Sequence, residues 1–362
     1  MRISLVTPNN DVRDGALFVA LARACPGLQI IAPAAQTSAW PDDVDVKWIR
    51  THGSNWTRQW MTGLETAIQA HDPDLIHIQN EPWAITTQRL LRTKRPVVIH
   101  GAESVLNAAP YSYRLRRVGM RAALGRAAGY ISWGQTGLRA AEAAGLLPAT
   151  PRAVIPASPP DPHVFRPVAP RPPDGTLRLC FVGRLVPLKG CDDLLLGVAG
   201  ANESSRISVT FVGWGPQEAT LRQLANDLRV KASFLGSLDS RAVHAVLADS
   251  DVLVAPSRNT PNCREQWGRV VVEAMMSRRC VLVSDSGELP FLVGDPECVF
   301  PQNDPESLSK ALDALTGDHP LVRKRAVAAY EQSQKFHPAV LAGQMLRVWS
   351  RSLDVWGTPR SR

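Results

Sequence analysis

The sequence predicts an α/β protein made of two doubly wound parallel-sheet domains. Short segments rich in valine and isoleucine alternate with longer helical patterns nearly from end to end. This alternation is typical of parallel sheets covered by helices on both faces. A dense run of prolines near residue 160 interrupts it once, at a place where regular structure is not tolerated. The 362 residues are enough for about two domains.

The first half of the chain supplies the elements of one sheet. Its N-terminal apolar stretch is too short for a secretory signal, so we expect it to be the first strand. The predicted strands are Ile3 to Thr7, Gln29 to Ala32, Leu75 to Ile78, Val97 to His100, Tyr130 to Trp133 and Ala153 to Ile155. The predicted helices are Gly15 to Ala24, Trp60 to Ala70, Tyr113 to Ala128 and Gly137 to Ala144.

The pattern restarts after the proline-rich segment and predicts a second sheet. Its strands are Leu177 to Val182, Ser208 to Val212, Ala232 to Leu235, Val252 to Ala255 and Val281 to Ser284. Two helices without a further strand follow, Leu321 to Phe336 and Ala339 to Leu353. We therefore expect domains at residues 1–158 and 177–335, a linker at 159–176, and a C-terminal helix at 336–362 that crosses back onto the first domain.

Composition excludes several classes of protein. Hydrophobic residues make up 44% and charged residues 20% of the chain, which excludes disordered, collagen-like and coiled-coil proteins. The apolar runs are far shorter than the ~20 residues that a membrane-spanning helix requires. The six cysteines form no CxxC pair and no cluster with histidine, so neither a zinc site nor a disulfide framework is predicted. We expect a cytoplasmic protein.

A loop with two cations follows the strand Leu177 to Val182. It begins with Gly183 and Arg184, reaches Lys189 five residues later, and leads into a helix that starts near Cys191. Glycine lets the backbone approach a ligand closely, and a guanidinium with an ammonium can clamp a diphosphate at the carboxyl end of a strand. The alternative is a surface turn with two solvated cations, because the loop is neither a Walker A loop nor a GxGxxG fingerprint.

Two carboxylates eight residues apart form the second motif. Glu265 lies in the loop after the strand Val252 to Ala255, and Glu273 lies two turns into a predicted helix from Gly268 to Met276. Carboxylates at the carboxyl edge of a sheet can accept paired hydrogen bonds from the vicinal hydroxyls of a sugar and a ribose. The helix N-terminus adds unpaired amides for a phosphate. The alternative is two solvated glutamates at the start of an ordinary helix.

The order of these motifs resembles the retaining glycosyltransferases of family 4, which have the two-domain GT-B architecture. The resemblance is close from Leu177 to about Asp295 and looser in the first half. It implies two Rossmann-like domains that face a cleft. The matching pieces are, in order, Phe181-Val182-Gly183-Arg184-Leu185 with Lys189-Gly190, Val212-Gly213-Trp214-Gly215-Pro216, Phe234-Leu235-Gly236, Ala255-Pro256-Ser257, the Glu265 and Glu273 pair, and Ser284-Asp285-Ser286-Gly287 through Leu289-Pro290 and Val293-Gly294-Asp295.

The resemblance implies a role for each of these residues. Arg184 and Lys189 are expected to bind the donor diphosphate. Glu273 is expected to bind the ribose hydroxyls, and Glu265 the transferred sugar. The family retains the anomeric configuration, usually without a metal, so the resemblance implies no metal or other cofactor. It also implies a nucleotide sugar as co-substrate, and we expect a UDP-sugar. The expected donor side further includes Gly183, Gly213, Gly215, Leu235, Gly236, Trp267, Gly268, Arg269 and, in the first domain, Gly15.

The resemblance also indicates acceptor-side residues in the first domain. His100 follows a strand at the position where the family often carries a functional histidine, and a structural histidine is the alternative. Asn80, Glu81 and Glu103 are further candidates for the acceptor pocket. The acceptor itself is a small molecule, a glycan or a lipid-linked sugar.

The chain departs from the family pattern at two positions of the last motif. Glu288 stands where a second glycine is usual, and Phe291 stands where a glutamate is usual. These departures leave donor binding expected and the geometry of the acceptor loop open. They also keep two alternatives to a transferase: a GT-B protein that binds a nucleotide or an anionic surface without catalysis, and a sugar-nucleotide epimerase.

A basic stretch without acidic residues lies in the first domain. Six arginines and no carboxylate occur between Glu103 and Glu142, in a chain of formal net charge +8. Such a helix can lie on an anionic membrane at the inner face or hold an anionic acceptor, and a solvated face is the alternative. Nucleic acid is not expected, since no RRM or KH fingerprint accompanies it. Within the predicted helix Tyr113 to Ala128, Arg114, Arg117 and Arg121 share one face, and Leu115, Val118 and Ala122 another.

Overall fold

The structure is a computed structural model. It describes residues 1–8, 15–34, 44–53, 55, 57–102, 111–147, 149–261 and 263–356, and for 111–116 it describes the backbone alone. The chain divides into two compact units, Met1–Pro159 with His337–Arg362, and Pro160–Phe336. In the described part of the chain, no helix combines the length and apolar character needed to cross a bilayer.

The first unit contains a seven-stranded parallel sheet with strand order β3-β2-β1-β6-β7-β8-β9. Its strands are β1 (Ile3–Val6), β2 (Leu28–Pro33), β3 (Val46–Ile49), β6 (Leu75–Ile78), β7 (Val97–Gly101), β8 (Gly129–Ser132) and β9 (Arg152–Val154), and a small antiparallel hairpin is formed by β4 (Thr51–His52) and β5 (Trp60–Met61). Its helices are α1 (Gly15–Ala24), α2 (Leu64–His71), α3 (Ile85–Leu90), α4 (Tyr111–Arg126) and α5 (Gln135–Ala143).

The second unit contains a six-stranded parallel sheet with strand order β12-β11-β10-β13-β14-β15. Its strands are β10 (Leu177–Val182), β11 (Ile207–Val212), β12 (Lys231–Phe234), β13 (Val252–Ala255), β14 (Cys280–Ser284) and β15 (Val299–Phe300). Its helices are α6 (Cys191–Gly200), α7 (Glu218–Asp227), α8 (Ser240–Asp249), α9 (Arg269–Met276), α10 (Leu289–Val293), α11 (Pro305–Leu315) and α12 (His319–Ser333).

The C-terminal helix α13 (Pro338–Trp356) belongs to the first unit. Its buried residues Leu341, Met345, Val348 and Trp349 recur at spacings of three and four, which places them on one face of the helix. They share a core with Phe18 of α1. The predicted α/β fold with two Rossmann-like parallel sheets and a helix packed back on the first domain is confirmed.

Two predicted details of the first unit are wrong, and one strand was not predicted. The predicted helix Trp60 to Ala70 begins only at Leu64, because Trp60 pairs with His52 in the hairpin and Gly63 has a left-handed φ of 76° at the N-cap. Strand β3 was not predicted, since its middle residues are exposed. Helix α4 buries Met120, Ala123 and Leu124, whereas Val118 and Ala122, expected on its apolar face, are exposed.

Candidate functional site

Glycine residues hold three loops together at the carboxyl edge of the second sheet. The amide of Gly183 donates to the Val212 carbonyl at 2.9 Å, and the amide of Gly213 donates to the Gly236 carbonyl at 2.7 Å. A Cβ atom on Gly213 would lie 1.9 Å from the Gly183 carbonyl oxygen, and one on Gly215 would lie 2.2 Å from a carbonyl oxygen of the first loop. The loops after β10, β11 and β12 therefore form one layer whose close backbone approach requires glycine.

The two predicted phosphate-binding cations lie next to this layer of loops and differ in their exposure to solvent. Arg184 is exposed and has no ion pair in the described part of the chain. Lys189 closes a single 3₁₀ turn, Pro187–Lys189, and is partly buried. Gly190 ends that turn with a φ of 62°, and a Cβ on it would lie 2.0 Å from the carbonyl oxygen of Pro256. The turn is therefore pressed against the loop that follows β13.

Glu265 is held by groups from its own loop and from two other loops. Its carboxylate forms an ion pair with the Lys189 ammonium, and the Ser257 hydroxyl donates to its Oε2 at 3.1 Å. Its carbonyl accepts from the amide of Glu288 at 2.9 Å. A Cβ on Gly287, whose φ is 53°, would lie 2.1 Å from that same carbonyl oxygen. The structure thus joins Lys189 and Glu265, which are 76 positions apart, in one fixed cation–carboxylate pair.

Glu273 lies in the first turns of α9 and is buried. Its Oε1 is 2.9 Å from Nε of Arg269, one helical turn earlier. Both Nε and Nη1 of Arg269 are buried and make no hydrogen bond with the described residues, so the contact with Glu273 is an ion pair without hydrogen-bond geometry. Gly268 caps α9 with a φ of 65°, and a Cβ there would lie 2.5 Å from the side chain of Leu289. The Glu273 carboxylate is therefore paired with a guanidinium whose Nε and Nη1 have no hydrogen-bond partner among the described residues.

The remaining donor-side residues divide into buried and exposed side chains. Trp267 is buried and packs edge-to-face on Phe336 with ring centroids 5.4 Å apart. Its indole is therefore part of the core, and its backbone is the part that can face a ligand. Leu235 is exposed, as is Trp214 beside the glycine layer. These two exposed apolar side chains can cover a ligand at the edge of the sheet.

Arg258 is a structural anchor of the site that the sequence analysis missed. Its Nε donates to Asp193 at 2.8 Å, its Nη2 pairs with Asp192 at 2.9 Å, and its amide donates to the Leu188 carbonyl at 2.8 Å. The hydrogen bond to Asp193 raises the pKa of Arg258, although burial opposes the shift. Arg258 fixes the turn that carries Lys189. The sequence signal that could have revealed this anchor was a pair of aspartates in the first turn of α6 together with an arginine shortly after β13.

His100 lies at the carboxyl end of β7 in the first unit, inside a buried chain of hydrogen bonds. The indole Nε1 of Trp349 donates to Nδ1 of His77 at 2.9 Å. Nε2 of His77 is 3.3 Å from Nδ1 of His100, and Nε2 of His100 is 2.7 Å from the Ile155 carbonyl oxygen. An indole only donates and a carbonyl only accepts, so this network assigns the proton of each imidazole to Nε2.

Burial keeps both histidines neutral. It lowers the pKa of His100 to about 4, although the hydrogen bond to Ile155 opposes the shift. Burial and the neighbouring His100 hold the pKa of His77 well below its usual range. Both nitrogens of each ring have protein partners within 3.3 Å. This geometry favours the structural role that the sequence had left open for His100.

The other predicted acceptor-side residues are placed in part. Glu81 is buried and accepts a hydrogen bond from the amide of Ala102 at 2.9 Å, and its own amide donates to the side-chain oxygen of Asn80 at 2.8 Å. Gly15 is the first residue of α1, with open space around it. Arg117 is exposed on α4. Glu103 and the side chain of Arg114 lie outside the described residues.

One segment of the chain matches a known protein family. Residues 167–332, just under half of its length, match a family model. That family is glycosyl transferases group 1. The matched segment contains Arg184, Lys189, Glu265 and Glu273, whereas His100 lies outside it. In the part of the chain that the structure describes, no group of three histidine, cysteine or acidic side chains is placed to hold a metal ion.

Two curated relatives resemble part of this chain at about 30% identity. One is the GDP-mannose-dependent monoacylated alpha-(1-6)-phosphatidylinositol monomannoside mannosyltransferase of Corynebacterium glutamicum, 32% identical over 43% of this chain and 42% of that protein. The other is the D-inositol 3-phosphate glycosyltransferase of Corynebacterium diphtheriae, 30% identical over 49% of this chain and 43% of that protein. The chain matches less than half the length of either relative.

Solved glycosyltransferase structures resemble nearly the whole chain. Anabaena HepE in complex with UDP aligns with a TM-score of 0.73 and 18% identity, covering 97% of this chain and all of that one. Sucrose-phosphate synthase of Thermosynechococcus elongatus aligns with a TM-score of 0.74 and 18% identity, covering 98% and 100%. At this identity the likeness establishes the GT-B fold.

Proposed function

We propose that this protein is a retaining glycosyltransferase that transfers a sugar from a nucleotide-sugar donor to an acceptor hydroxyl. The observation that carries the proposal is the fixed pair of Lys189 and Glu265, together with the exposed Arg184 in the same loop as Lys189. The pair lies at the carboxyl edge of a parallel sheet, where ligands of such folds bind, and within the segment that matches glycosyl transferases group 1. No metal is required by the proposed chemistry.

The two cations stabilise the leaving group in this proposal. Breaking the bond between the anomeric carbon and the diphosphate leaves negative charge on a phosphate oxygen, which Arg184 and Lys189 neutralise. The acceptor oxygen bonds to the anomeric carbon on the face that the diphosphate leaves, and the acceptor proton passes to the departing phosphate oxygen. Preorganisation is the protein's contribution, since Arg258 and Glu265 hold Lys189 in place before the reaction.

The two glutamates bind hydroxyl groups of the donor. Glu265 accepts hydrogen bonds from the transferred sugar, and its contacts with Lys189 and Ser257 fix the direction in which its remaining lone pairs point. Glu273, oriented by Arg269, accepts hydrogen bonds from the ribose. A carboxylate has about four acceptor positions, so each glutamate keeps acceptor capacity beyond its protein contacts.

The donor is proposed to be a UDP-sugar. HepE, with the same fold, was solved with UDP, whereas the Corynebacterium glutamicum relative is named for GDP-mannose. GDP-mannose is therefore the second donor to test.

The exposed Arg117 on α4 supports a further proposal. We propose that this basic helix attracts a lipid-linked or otherwise anionic acceptor, or the anionic inner face of a membrane.

The test is slow donor hydrolysis across a panel of UDP-, GDP- and ADP-sugars, because hydrolysis needs no acceptor. We expect one donor to be cleaved, and Glu265→Ala to lower that rate by about 10²- to 10³-fold. Glu306→Ala is the matched control, since Glu306 is an exposed carboxylate paired with Lys310 on α11. Equal hydrolysis by the Glu265→Ala and wild-type proteins would refute the proposed role of Glu265.

The basic helix has a separate test. Arg114, Arg117 and Arg121 changed together to serine should abolish sedimentation with vesicles that contain anionic lipid, because about 1 kcal/mol of attraction is lost per arginine. Neutral vesicles are the control. Equal sedimentation of the two proteins would leave the acceptor as the partner of this helix.

A further inference from the structure

A small cavity opens at the amino edge of the second sheet, opposite the edge that carries Arg184 and Lys189. It has a volume of about 30 Å³. On this measure a single water needs about 10–15 Å³, so the cavity has room for a small polyatomic ion and not for a nucleotide. Four separate segments of the second unit contribute its charged or titratable lining residues, Arg171, Asp251, Arg278, Arg279, His319 and Arg323.

Arg279 is the buried member of this group, at 3% exposure. Its Nη2 donates to the carbonyls of Val168 and Ala169 at 3.0 and 3.1 Å, and its Nη1 donates to the carbonyl of Ser250 at 3.3 Å. Its Nε is buried and makes no hydrogen bond with the described residues. Burial lowers the pKa of this guanidinium, and Asp251 opposes the shift. The protein therefore provides hydrogen-bond acceptors for Nη1 and Nη2 of this guanidinium and leaves its Nε–H without one.

The cavity carries more positive than negative charge. Asp251 is its one acidic lining residue, and it lies 3.9 Å from Arg171, which also pairs with Asp174 and Asp249. Arg278 and Arg323 are exposed and form no ion pair within the described ranges. Three arginines at this cavity thus have no carboxylate within ion-pair distance, and such a cluster is favourable for an oxyanion.

We propose that this cavity binds a phosphate group, either inorganic phosphate or the phosphate of a small monoester. The unused N–H of Arg279 provides a buried donor, and Arg278 and Arg323 supply charge at the mouth. The strands between the two edges are four to six residues long, which at about 3.3 Å per residue separates the cavity from the donor side by roughly 13–20 Å. The phosphate site is therefore distinct from the donor diphosphate site.

Arg278 provides a variant that removes charge without harming the fold. It follows α9 with a left-handed φ of 58°, a conformation in which glycine is favoured over residues with a side chain. Arg278→Gly should therefore leave the melting temperature unchanged or raise it. Arg229 is a matched control, because it follows α7 with a φ of 57° and does not line the cavity.

The experiment is a calorimetric titration with inorganic phosphate, and with glycerol 3-phosphate in a second series, at ionic strength held constant with chloride. Wild type, Arg229→Gly and Arg184→Ser are expected to bind phosphate, the last variant excluding the donor site as the source of the signal. The double variant Arg278→Gly with Arg323→Ser is expected to bind at least tenfold more weakly. Tighter binding of one ligand identifies whether the phosphate is free or esterified.

Three results would overturn the proposal. They are the absence of binding of both ligands to wild type, unchanged binding by the double variant, and loss of binding in Arg184→Ser alone. The last result would assign all phosphate binding to the donor side. A failure of the proposed glycosyl transfer leaves these titrations unaffected, since neither depends on a sugar donor.

Discussion

The carboxyl edges of the two sheets place their titratable groups in opposite ways. In the second unit, Arg184 is exposed and the Lys189–Glu265 pair is only partly buried, so charge is presented where a ligand can reach it. In the first unit, His77 and His100 are fully buried and bound to protein groups. The second unit thus offers charged groups to a ligand, whereas the histidines of the first unit are bound within the protein.

The difference follows from what packs against each edge. In the first unit, the C-terminal helix α13 delivers the indole of Trp349 to His77, which ends a chain of neutral hydrogen bonds. In the second unit, glycine loops and the Arg258 anchor hold cations near the surface. Each side of this comparison makes a prediction that a substitution can test.

The largest expected effect is on catalysis in the second unit. Lys189→Ala should lower kcat/KM with the identified donor by about 10²- to 10³-fold, because a preorganised cation at the leaving group is lost. Lys310→Ala removes an exposed lysine that also pairs with a glutamate, and should leave the rate unchanged. A Lys189→Ala enzyme within threefold of wild type would show that this edge does not carry the chemistry.

The glycine layer should tolerate a methyl group at one position and not at another. Gly213→Ala places a Cβ 1.9 Å from a carbonyl oxygen, whereas Gly236, also with a positive φ, has nothing within 4 Å. We expect about 3 kcal/mol of destabilisation for Gly213→Ala and about 1 kcal/mol for Gly236→Ala. Hydrogen exchange of β10 and β11 amides measures both. Equal costs would mean that backbone crowding does not explain the layer.

The buried histidines should make the first unit sensitive to acid. Their folded pKa values lie below the usual 6.5, so the unfolded chain binds protons first as the pH falls, and the stability present above pH 6.5 is lost below it. His100 alone should cost about 2 kcal/mol between pH 7.5 and pH 5. Hydrogen exchange of β6 and β7 amides should show a smaller loss in His100→Gln. The same pH dependence in both proteins would contradict the neutral assignment.

An effect of similar size is expected at Trp349. Trp349→Phe removes the indole donor and leaves Nδ1 of the buried His77 without a partner, which should cost about 1–3 kcal/mol. A double-mutant cycle with His77→Leu isolates this interaction from the loss of packing. A coupling energy near zero would show that the hydrogen bond does not fasten α13 to the sheet.

The sequence pattern predicted the strands that are buried along their whole length. Leu75 to Ile78 and Val252 to Ala255 match the structure at both ends. Both segments are dominated by apolar residues, which is a strong signal for a buried strand, although His77 interrupts the first. Strand β3 was not predicted, because Lys47 and Trp48 at its middle are exposed and break the apolar pattern. A two-residue strand such as β15 (Val299–Phe300) has no readable period.

The sequence motifs indicated the individual site residues but not the contacts between them. Lys189 and Glu265 stood in separate motifs, and only the pairing of β10 with β13 brings their loops together. Arg258 was missed since its partner Asp193 is 65 positions away. His77 and Trp349 are 272 positions apart, a contact that depends on where α13 docks and that no local pattern encodes.

Calorimetric titration of the protein with UDP, GDP and ADP tests the central claim most directly. The account predicts that one of the three nucleotides binds and that Arg184→Ala weakens its binding at least tenfold, because a guanidinium contact to the diphosphate is lost. Lys310→Ala should bind as wild type does. The absence of binding to all three nucleotides, or unchanged affinity in Arg184→Ala, would contradict a donor site at this edge.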